Sequence, residues 1–386
     1  MRFIFICRCD PSNSSGGTEI FARNLAVQLA ETGNLVDLLY GGEKANGSVA
    51  SISGVTWHNL QLINTPYLRS LVFRHKCEMK CRSLLSESEI DAVIAFGAGT
   101  FPSKVFDRIR KVKGRALLVY YAMDSMKMEF ERSKKSGEVK TLHSRIKRWF
   151  WYNALTKSDM SSCNKSELIL ASSEDTINHL IADYNVPSNK INLLYEGIPD
   201  NFANGYEENY QVVPTFLHVG GGPRKGTSFF LKAMKLINDK YDLPAKAVIL
   251  RASPDNIAYA KALDLDIDTY SYISEPELKR VYAQSTALVS PSMSEGFCLP
   301  VIEAAMFSKP SIVTNTGSLP ELVKNGENGY VIPVCDCDTL ANCMYQLAID
   351  PEMREQMGEK AKTQARNFTI AKTASNLLKI ISTSKA

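Results

Sequence analysis

The sequence lacks several features that define membrane proteins, metalloproteins and dinucleotide-dependent enzymes. None of its apolar runs reaches the roughly 18 residues that a membrane-spanning helix needs. Its five histidines do not cluster, and the C-x-C pairs Cys7/Cys9 and Cys335/Cys337 lack the second half of a zinc site. No glycine-rich turn combines G-x-G-x-x-G spacing with a following acid, which argues against a dinucleotide oxidoreductase. We therefore expect reduced thiols, no bound metal and no redox cofactor.

The composition is that of an ordinary globular protein. Apolar residues make up 45% and charged residues 22% of the sequence. A length of 386 residues is enough for two domains that each bury a core of their own. Residues 1–7 hold a short apolar run followed by polar residues, which predicts a buried first strand rather than a signal peptide.

Strand-like apolar runs alternate with helical patterns along the whole chain, which predicts an α/β fold with parallel sheets covered by helices on both faces. The predicted strands are Phe3–Cys7, Leu35–Leu39, Val55–Leu60, Ala92–Ala95, Ala116–Tyr120, Leu168–Ala171, Ile191–Leu194, Thr215–Val219, Ala247–Leu250, Asp268–Tyr272, Ala287–Ser290, Ser311–Thr314 and Tyr330–Pro333. Helices are predicted after Gly17, near Pro66 and Pro102, over Leu142–Lys157, from Ser173, and over Thr227–Asn238, Pro276–Gln284, Leu299–Phe307 and Asp338–Ile349. The segment from Glu196 to Pro214 is the best candidate for a linker.

Positive charge is concentrated in the first half of the chain. Residues 104–115 hold six basic residues and one acid, and residues 127–148 hold eight basic residues and three acids, followed by the aromatic run 149–152. A solvated helical face is one interpretation. The other is a peripheral membrane surface, since anionic lipids attract such residues by about 1 kcal/mol each and aromatic residues anchor at the interface. Nucleic acid ranks below a membrane because no recognisable nucleic-acid module accompanies the charge.

The segment from Ser290 to Glu303 is the most informative part of the sequence. A short apolar strand, Ala287–Val289, ends in a turn of small residues. Glu295 and a glycine follow, and then a helix with Pro300 in its first turn. A helix start offers backbone N–H groups and a positive dipole end, which favours phosphate. Two carboxylates beside such a turn indicate a sugar–nucleotide site.

This run resembles the Glu-x7-Glu motif of the retaining glycosyltransferases of family 4. Further segments follow in the order and approximate spacing of that family: Gly16–Glu19, Phe216–Gly226, Ser308–Pro310, Gly317–Glu321 and Asn328–Pro333. The resemblance covers most of residues 215–335 and, more loosely, the whole chain. It implies the GT-B architecture, in which two Rossmann-like domains face each other across a cleft that contains the active site. The expected domains are 1–200, joined by a returning helix within 367–386, and 214–366.

The resemblance also assigns roles to residues of the second domain. Arg224 and Lys225 would bind the donor diphosphate and stabilise the charge that grows on it as the glycosidic bond breaks. Glu295 would contact hydroxyl groups of the donor sugar, and Glu303 those of the ribose. The backbone N–H groups that would reach the sugar or its phosphate belong to Gly296, Phe297, Cys298 and Leu299. The structural alternatives are a helix-start position favoured by the dipole for Glu295 and a solvated helical position for Glu303.

Other site assignments depend on fewer residues. Gly16 and Gly17 would let the backbone approach the donor phosphates, unless they serve only a turn. Asp124 ends a Tyr-Tyr-Ala-Met-Asp run like one that faces the cleft in lipopolysaccharide-core glucosyltransferases, although many members have a histidine there. Arg251 and Tyr272 would flank the nucleobase, while Tyr272 could instead fill the core. The D-x-D run of residues 264–268 is interpreted as surface, without a metal.

The resemblance implies a retaining transferase that moves a hexose from a nucleoside diphosphate sugar, UDP favoured over GDP, to a glycan or lipid-linked acceptor. The departing phosphate would serve as the base. Synthesis of lipopolysaccharide or surface polysaccharide at the cytoplasmic face of the membrane is the expected setting. Two alternatives stay open: a glycoside hydrolase that uses Glu295 and Glu303, and a non-catalytic subunit that binds nucleotide sugars.

Overall fold

The computed structural model describes residues 1–10, 16–42, 54–62, 66–97, 100, 102–128, 142–206, 213–220 and 222–385. The chain divides into two compact units. Unit 1 comprises Met1–Phe130, Val139–Pro199 and Ile370–Ala386, and unit 2 comprises Asp200–Thr369. Among the described helices, none is both long enough and apolar enough to cross a bilayer.

Unit 1 contains a seven-stranded parallel sheet with the strand order β3-β2-β1-β4-β5-β6-β7. Its strands are β1 (Arg2–Cys7), β2 (Leu35–Tyr40), β3 (Val55–Asn59), β4 (Ala92–Phe96), β5 (Leu117–Ala122), β6 (Leu168–Ala171) and β7 (Ile191–Leu193). The central strands are buried along nearly their whole length, as parallel strands covered on both faces must be.

The described helices of unit 1 are α1 (Gly17–Glu31), α2 (Pro66–Glu87), α3 (Pro102–Ile109), α4 (Leu142–Lys165), α5 (Glu174–Tyr184) and, from the end of the chain, α13 (Ile370–Lys385). Side-chain capping defines where α5 begins, because the Ser173 hydroxyl accepts a hydrogen bond from the Thr176 N–H. The returning helix α13 is fixed to unit 1 by the Ile370 N–H, which donates to the Ile198 carbonyl at 2.8 Å. Lys385, near its end, pairs with Asp91 at 2.5 Å.

Unit 2 contains a six-stranded parallel sheet with the order β10-β9-β8-β11-β12-β13. Its strands are β8 (Thr215–Val219), β9 (Lys246–Leu250), β10 (Ile267–Tyr270), β11 (Ala287–Ser290), β12 (Ser311–Thr314) and β13 (Gly329–Ile332). Its described helices are α6 (Thr227–Tyr241), α7 (Pro254–Ala262), α8 (Glu275–Gln284), α9 (Leu299–Met306), α10 (Leu319–Leu322), α11 (Cys337–Ile349) and α12 (Pro351–Ala365). The two parallel sheets with their helices confirm the predicted fold class.

Several predicted elements differ from the observed ones. The strand predicted over Asp268–Tyr272 is β10, which ends at Tyr270, and the helix predicted over Leu142–Lys157 is α4, which continues to Lys165. The sequence interpretation missed α7 and α12 altogether. Both begin with a proline directly after a capping side chain, Ser253 and Asp350 respectively, and this pattern starts a helix as readily as it makes a turn.

Candidate active site

The candidate site of unit 2 lies where β8 and β11 end, because these two strands are neighbours in the sheet. A short 3₁₀ turn, Pro223–Lys225, follows β8 and leads into α6. Residues 291–298 follow β11 and lead into α9. Parallel strands bring these turns to one edge, where ligands of open α/β sheets bind.

An ion-pair cluster joins the two turns. The Lys225 Nζ donates to Glu295 Oε1 at 2.7 Å, and the Arg224 Nη1 lies 3.7 Å from Glu295 Oε2. The same guanidinium nitrogen donates to the Ser294 carbonyl at 3.2 Å. Glu295 is 2% exposed, whereas the two cationic side chains are 38% and 24% exposed. The sheet therefore presents two accessible cations above a buried carboxylate.

Two glycines allow this close approach of backbone segments. Gly226 has φ +72°, and a Cβ there would lie 1.9 Å from the Pro291 carbonyl oxygen. Gly317 has φ +57°, and a Cβ there would lie 1.8 Å from the Glu295 carbonyl oxygen. Only glycine fits at either position, so both turns are fixed by backbone contact.

The ionisation of Glu295 follows from its neighbours. Burial by itself would raise the pKa of Glu295, but attraction to Lys225 and Arg224, with hydrogen bonds from Lys225 and Ser292, outweighs it and lowers the pKa below its ordinary value. Glu295 is therefore ionised at neutral pH.

A chain of hydroxyl and thiol groups runs beneath the same carboxylate. The Ser292 hydroxyl donates to Glu295 Oε1 at 2.7 Å, and the Ser290 hydroxyl lies 3.3 Å from that of Ser292. The Cys298 thiol lies 3.7 Å from Ser290 Oγ, and burial raises the pKa of this thiol to about 12. Oε1 of Glu295 thus accepts from both Ser292 and Lys225, while Oε2 faces Arg224.

The second carboxylate has a different environment. Glu303 accepts a hydrogen bond from the Tyr282 hydroxyl at 2.6 Å. Burial raises the pKa of Glu303, and the bond from Tyr282 and the charge of Arg251 offset only part of that effect. Arg251 follows β9 in a left-handed conformation, with φ +61°. The charge of Arg251 therefore acts on Glu303.

For Tyr272 the structure excludes one of the two alternatives. Its side chain is 87% exposed, so it does not fill the core. Residues 264–268 follow α7, and Asp268 pairs with Lys246 at 2.6 Å. Within the described part of the chain, no group of three His, Cys, Asp or Glu side chains is arranged to hold a metal.

The unit 1 candidates lie on two loops that touch each other. Gly16 is the residue before α1, with an extended backbone, and Gly17 begins the helix. Thr18 in the first turn of α1 donates its hydroxyl to the Met123 sulfur at 2.6 Å. Asp124 is the next residue, and its carboxylate accepts the Ser125 N–H at 2.7 Å. The predicted glycine turn and the predicted Asp124 loop are therefore neighbours.

A buried carboxylate fixes the loop that carries Asp124. Asp159 of α4 accepts hydrogen bonds from the hydroxyls of Tyr120 and Tyr184 and, at 3.1 Å, from the Met126 N–H. Sequence reasoning missed Asp159, as it missed Ser292 and Tyr282. The partners of Asp159 are 25 to 39 residues away and that of Tyr282 is 21 residues away, and no local pattern marks such contacts. Ser292 lies only three residues before its partner Glu295, so the Ser-x-x-Glu spacing could have identified it.

Models of two protein families match the chain. The model described as Glycosyltransferase Family 4 matches residues 15–202, and the model described as Glycosyl transferases group 1 matches residues 211–364. The matched residues include Arg224, Lys225 and Glu295 of unit 2 and the loops at Gly16 and Asp124 of unit 1.

Individual relatives match over shorter stretches. The lipopolysaccharide core biosynthesis mannosyltransferase LpcC of Rhizobium leguminosarum is 29% identical over 160 residues, 39% of this chain and 46% of LpcC. The O-antigen chain mannosyltransferase RfbU of Salmonella typhimurium is 31% identical over 188 residues, 46% of this chain and 49% of RfbU. The chain thus spans about half the length of these curated relatives.

Solved structures match over nearly the whole chain at low identity. Sucrose-phosphate synthase from Thermosynechococcus elongatus has a TM-score of 0.79 at 16% identity, covering 99% of this chain and 98% of that one. WaaG, a glycosyltransferase involved in lipopolysaccharide biosynthesis, has a TM-score of 0.73 at 16% identity and covers 98% and 99%. HepE of Anabaena, in complex with UDP and glucose, has a TM-score of 0.71 at 15% identity and covers 98% and 99%.

Two parallel doubly wound sheets and these structural neighbours define the GT-B class of fold. The family models give the more particular result. The chain belongs to the glycosyltransferases, with a family 4 amino-terminal part and a group 1 carboxyl-terminal part. The sequence interpretation of the family is therefore confirmed.

Proposed function

We propose that the chain is a retaining hexosyltransferase that uses a nucleoside diphosphate sugar. The observation that carries the proposal is the cluster in which Arg224 and Lys225 stand over the buried, ionised Glu295 where two neighbouring strands end. Two accessible cations suit a diphosphate, and a fixed carboxylate suits the hydroxyl groups of the attached sugar.

The proposed chemistry uses these charges at the moment of bond cleavage. Negative charge grows on the diphosphate as the glycosidic bond breaks, and preorganised cations stabilise that state more than the ground state. When the donor binds, Lys225 and Arg224 would interact with the phosphate oxygens as well as with Glu295. The departing phosphate would take the proton of the acceptor hydroxyl on the same face, so no nucleophile of the protein is required.

The remaining candidates complete the donor site. Glu303 would accept hydrogen bonds from ribose hydroxyls, and Arg251 and Tyr272 would flank the base. The backbone N–H groups of residues 296–299 would reach the sugar and its phosphate. In unit 1, Gly16 and Gly17 would approach the donor, and Asp124 would act on the acceptor side.

The sugar and the nucleotide are proposed from two kinds of support. HepE, similar in fold, was solved with UDP and UDP-glucose, whereas LpcC and RfbU are named mannosyltransferases. We propose a UDP-hexose donor and a glycan or lipid-linked acceptor of lipopolysaccharide or surface polysaccharide. The transfer would take place in the cytoplasm, at the inner face of the membrane. It would require no divalent metal.

One observation favours a second candidate, a glycoside hydrolase. Its two carboxylates would need pKa values pushed apart, and here the pKa of Glu295 is lowered while that of Glu303 is raised. However, Glu295 is bound to two cations and Glu303 to a tyrosine, an arrangement that suits a charged nucleotide better than an uncharged glycan.

The test is sugar transfer from labelled UDP-glucose, UDP-galactose and GDP-mannose to lipopolysaccharide-core and lipid-linked acceptors. We expect nucleotide-dependent transfer with the donor's anomeric configuration retained, and a loss of at least about 100-fold in Glu295→Gln. Lys225→Met, which removes the nearer cation, is assayed beside it. Lys235→Met is its matched control, because Lys235 pairs with Asp239 on the surface of α6 at 2.9 Å.

Three outcomes would contradict the proposal. Cleavage of oligosaccharides without any nucleotide sugar would favour the hydrolase. Tight nucleotide binding without product on any acceptor would favour a non-catalytic subunit. Product of inverted configuration would refute the retaining mechanism.

A further inference from the structure

A cavity of about 500 Å³ opens in unit 2 between α12 and the turn that precedes β13. One wall is a strip of α12 that includes Glu359, Lys360 and Thr363, and the opposite wall is formed by Glu327 and Asn328. Sites that hold small molecules have volumes of about 300–1,000 Å³, so this cavity is large enough for a ligand. The candidate donor-site residues, all of which the structure describes, do not line it.

Hydrogen bonds hold the two walls of this cavity together. The Asn328 Nδ2 donates to Gln364 Oε1 of α12 at 2.8 Å, and the Gln364 Nε2 donates to the Glu321 carbonyl at 3.2 Å. The Asn328 Oδ1 accepts the Lys324 N–H at 2.6 Å, and Asn328 is only 4% exposed. The cavity is therefore formed before any ligand arrives, which lowers the cost of binding.

The rear of the cavity is an aromatic ring that also contacts the candidate donor site. Phe368 is the one apolar side chain among the described lining residues, and it is 6% exposed. Its ring packs on that of Phe297, with 5.9 Å between the ring centroids. Phe297 is the second residue after Glu295, in the turn that follows β11. One aromatic contact therefore connects the cavity with that turn.

The polar groups of the cavity suit a neutral ligand that is rich in hydroxyl groups. They are two carboxylates, one ammonium, one hydroxyl and one amide, from Glu327, Glu359, Lys360, Thr363 and Asn367. The Ser308 hydroxyl donates to Glu359 Oε1 at 2.8 Å and fixes that carboxylate. Two carboxylates against one ammonium disfavour phosphate. This mixed charge differs from the basic clusters predicted at 104–115 and 127–148, of which residues 129–141 lie outside the described part of the chain.

We propose that this cavity binds a neutral carbohydrate segment of the acceptor glycan. Each sugar hydroxyl both donates and accepts, so carboxylate acceptors and an ammonium donor on facing walls can bind neighbouring hydroxyl groups. The inference rests on the proposed function for the identity of the glycan, and it adds a second position at which unit 2 holds that glycan. A free sugar would present the same groups, and the test below separates the two sources.

The test measures binding with no donor sugar present. Mannotetraose, maltotetraose, chitotetraose and the monosaccharide of each are titrated into the full chain by calorimetry, with and without saturating UDP. We expect at least one tetrasaccharide to bind at least about 10-fold more tightly than its monosaccharide, because it reaches more of the lining groups. Saturating UDP should change that affinity by less than about twofold, because the cavity lies outside the donor site.

Two variants and a matched control test the position of the site. Glu327→Ala with Lys360→Ala removes two lining groups at constant net charge and should weaken tetrasaccharide binding at least about 10-fold. Thr363→Tyr places a ring inside the cavity and should reduce binding below detection. Glu355→Ala with Lys362→Ala, on the same helix but outside the lining, should leave binding within about twofold. Circular dichroism would show that each variant is folded.

Failure of all three tetrasaccharides to bind would overturn the proposal. Displacement by UDP would do the same, because the ligand would then occupy the donor site. A monosaccharide that binds as tightly as its tetrasaccharide would identify a free sugar instead of a glycan segment. An equal loss in the control double variant would show that the cavity is not the site. A chain that transfers no sugar but binds a tetrasaccharide as described would refute the proposed function and support the cavity as a glycan site.

Discussion

Removal of the Lys225 ammonium should strand a buried carboxylate, which makes Lys225→Met the most informative single substitution. Glu295 would keep the Ser292 hydroxyl at 2.7 Å and the Arg224 guanidinium at 3.7 Å, but it would lose its nearest cation. The change should therefore lower stability even with no substrate present.

The magnitude follows from the burial of the pair. Removing one partner of a buried ion pair costs about 3–5 kcal/mol. The cost here should be lower, about 2 kcal/mol, because Lys225 is 24% exposed and Arg224 remains nearby. In a unit of this size that corresponds to a fall in Tm of about 4–8 °C. Adding Glu295→Gln removes the unpaired buried charge, so the double variant should have a free energy of unfolding about 1 kcal/mol higher than that of Lys225→Met.

The dependence on pH gives an independent check. The pKa of Glu295 is lowered in the folded state, so its contribution to stability is full above the unfolded pKa, about 4.3, and is lost as the pH falls through the folded value. The difference in Tm between wild type and Lys225→Met should therefore be largest near pH 7 and should shrink below about pH 4.

The assay is thermal unfolding of wild type, both single variants and the double variant across this pH range, followed by calorimetry with UDP. An unchanged Tm in Lys225→Met would refute the reasoning. A double variant that is less stable than Lys225→Met would do the same, since the coupling would then have the wrong sign. Lys235→Met again serves as the control.

Three further predictions concern the turns around this cluster. Gly317→Ala should lower the free energy of unfolding, measured in urea, by more than about 2 kcal/mol, because the new Cβ would lie 1.8 Å from the Glu295 carbonyl oxygen. The control Gly326→Ala, at φ +76° with open space around it, should lower it by only about 1 kcal/mol. Equal losses in the two variants would contradict the close contact. Ser292→Ala should lower kcat/KM for the donor about 10-fold and leave the affinity for UDP unchanged, and Ser292→Thr should restore kcat/KM. Equal losses in kcat/KM and in UDP affinity would indicate a general distortion of the site instead. Glu303→Gln should weaken calorimetric binding of UDP about 10-fold but hardly change that of its dideoxyribose analogue, and equal weakening of both would refute the ribose role.

The sheet framework could be predicted from sequence because the signal is local. The bounds of β8, β11 and β12 agree with the predicted Thr215–Val219, Ala287–Ser290 and Ser311–Thr314, since each is a short apolar run closed by small or turn-forming residues. The helix start after Glu295 was also predicted correctly, and α9 begins at Leu299.

The contacts of the site were less predictable because they join distant parts of the chain. The pair Lys225–Glu295 spans 70 residues, and the Thr18–Met123 contact spans 105. The strand order decides which turns meet, and no periodicity encodes that order. Burial raises the pKa of both Glu295 and Glu303, and the cations Lys225 and Arg224 reverse the direction at Glu295. In the sequence, however, each is simply a carboxylate near a helix.

A crystal structure of the chain with a nucleoside diphosphate tests the central claim most directly. We predict that both phosphates lie within hydrogen-bond distance of the Arg224 guanidinium and the Lys225 ammonium, with Oε2 of Glu295 facing the position of the donor sugar. A diphosphate bound away from the turns that follow β8 and β11, with Lys225 still paired to Glu295, would contradict the account.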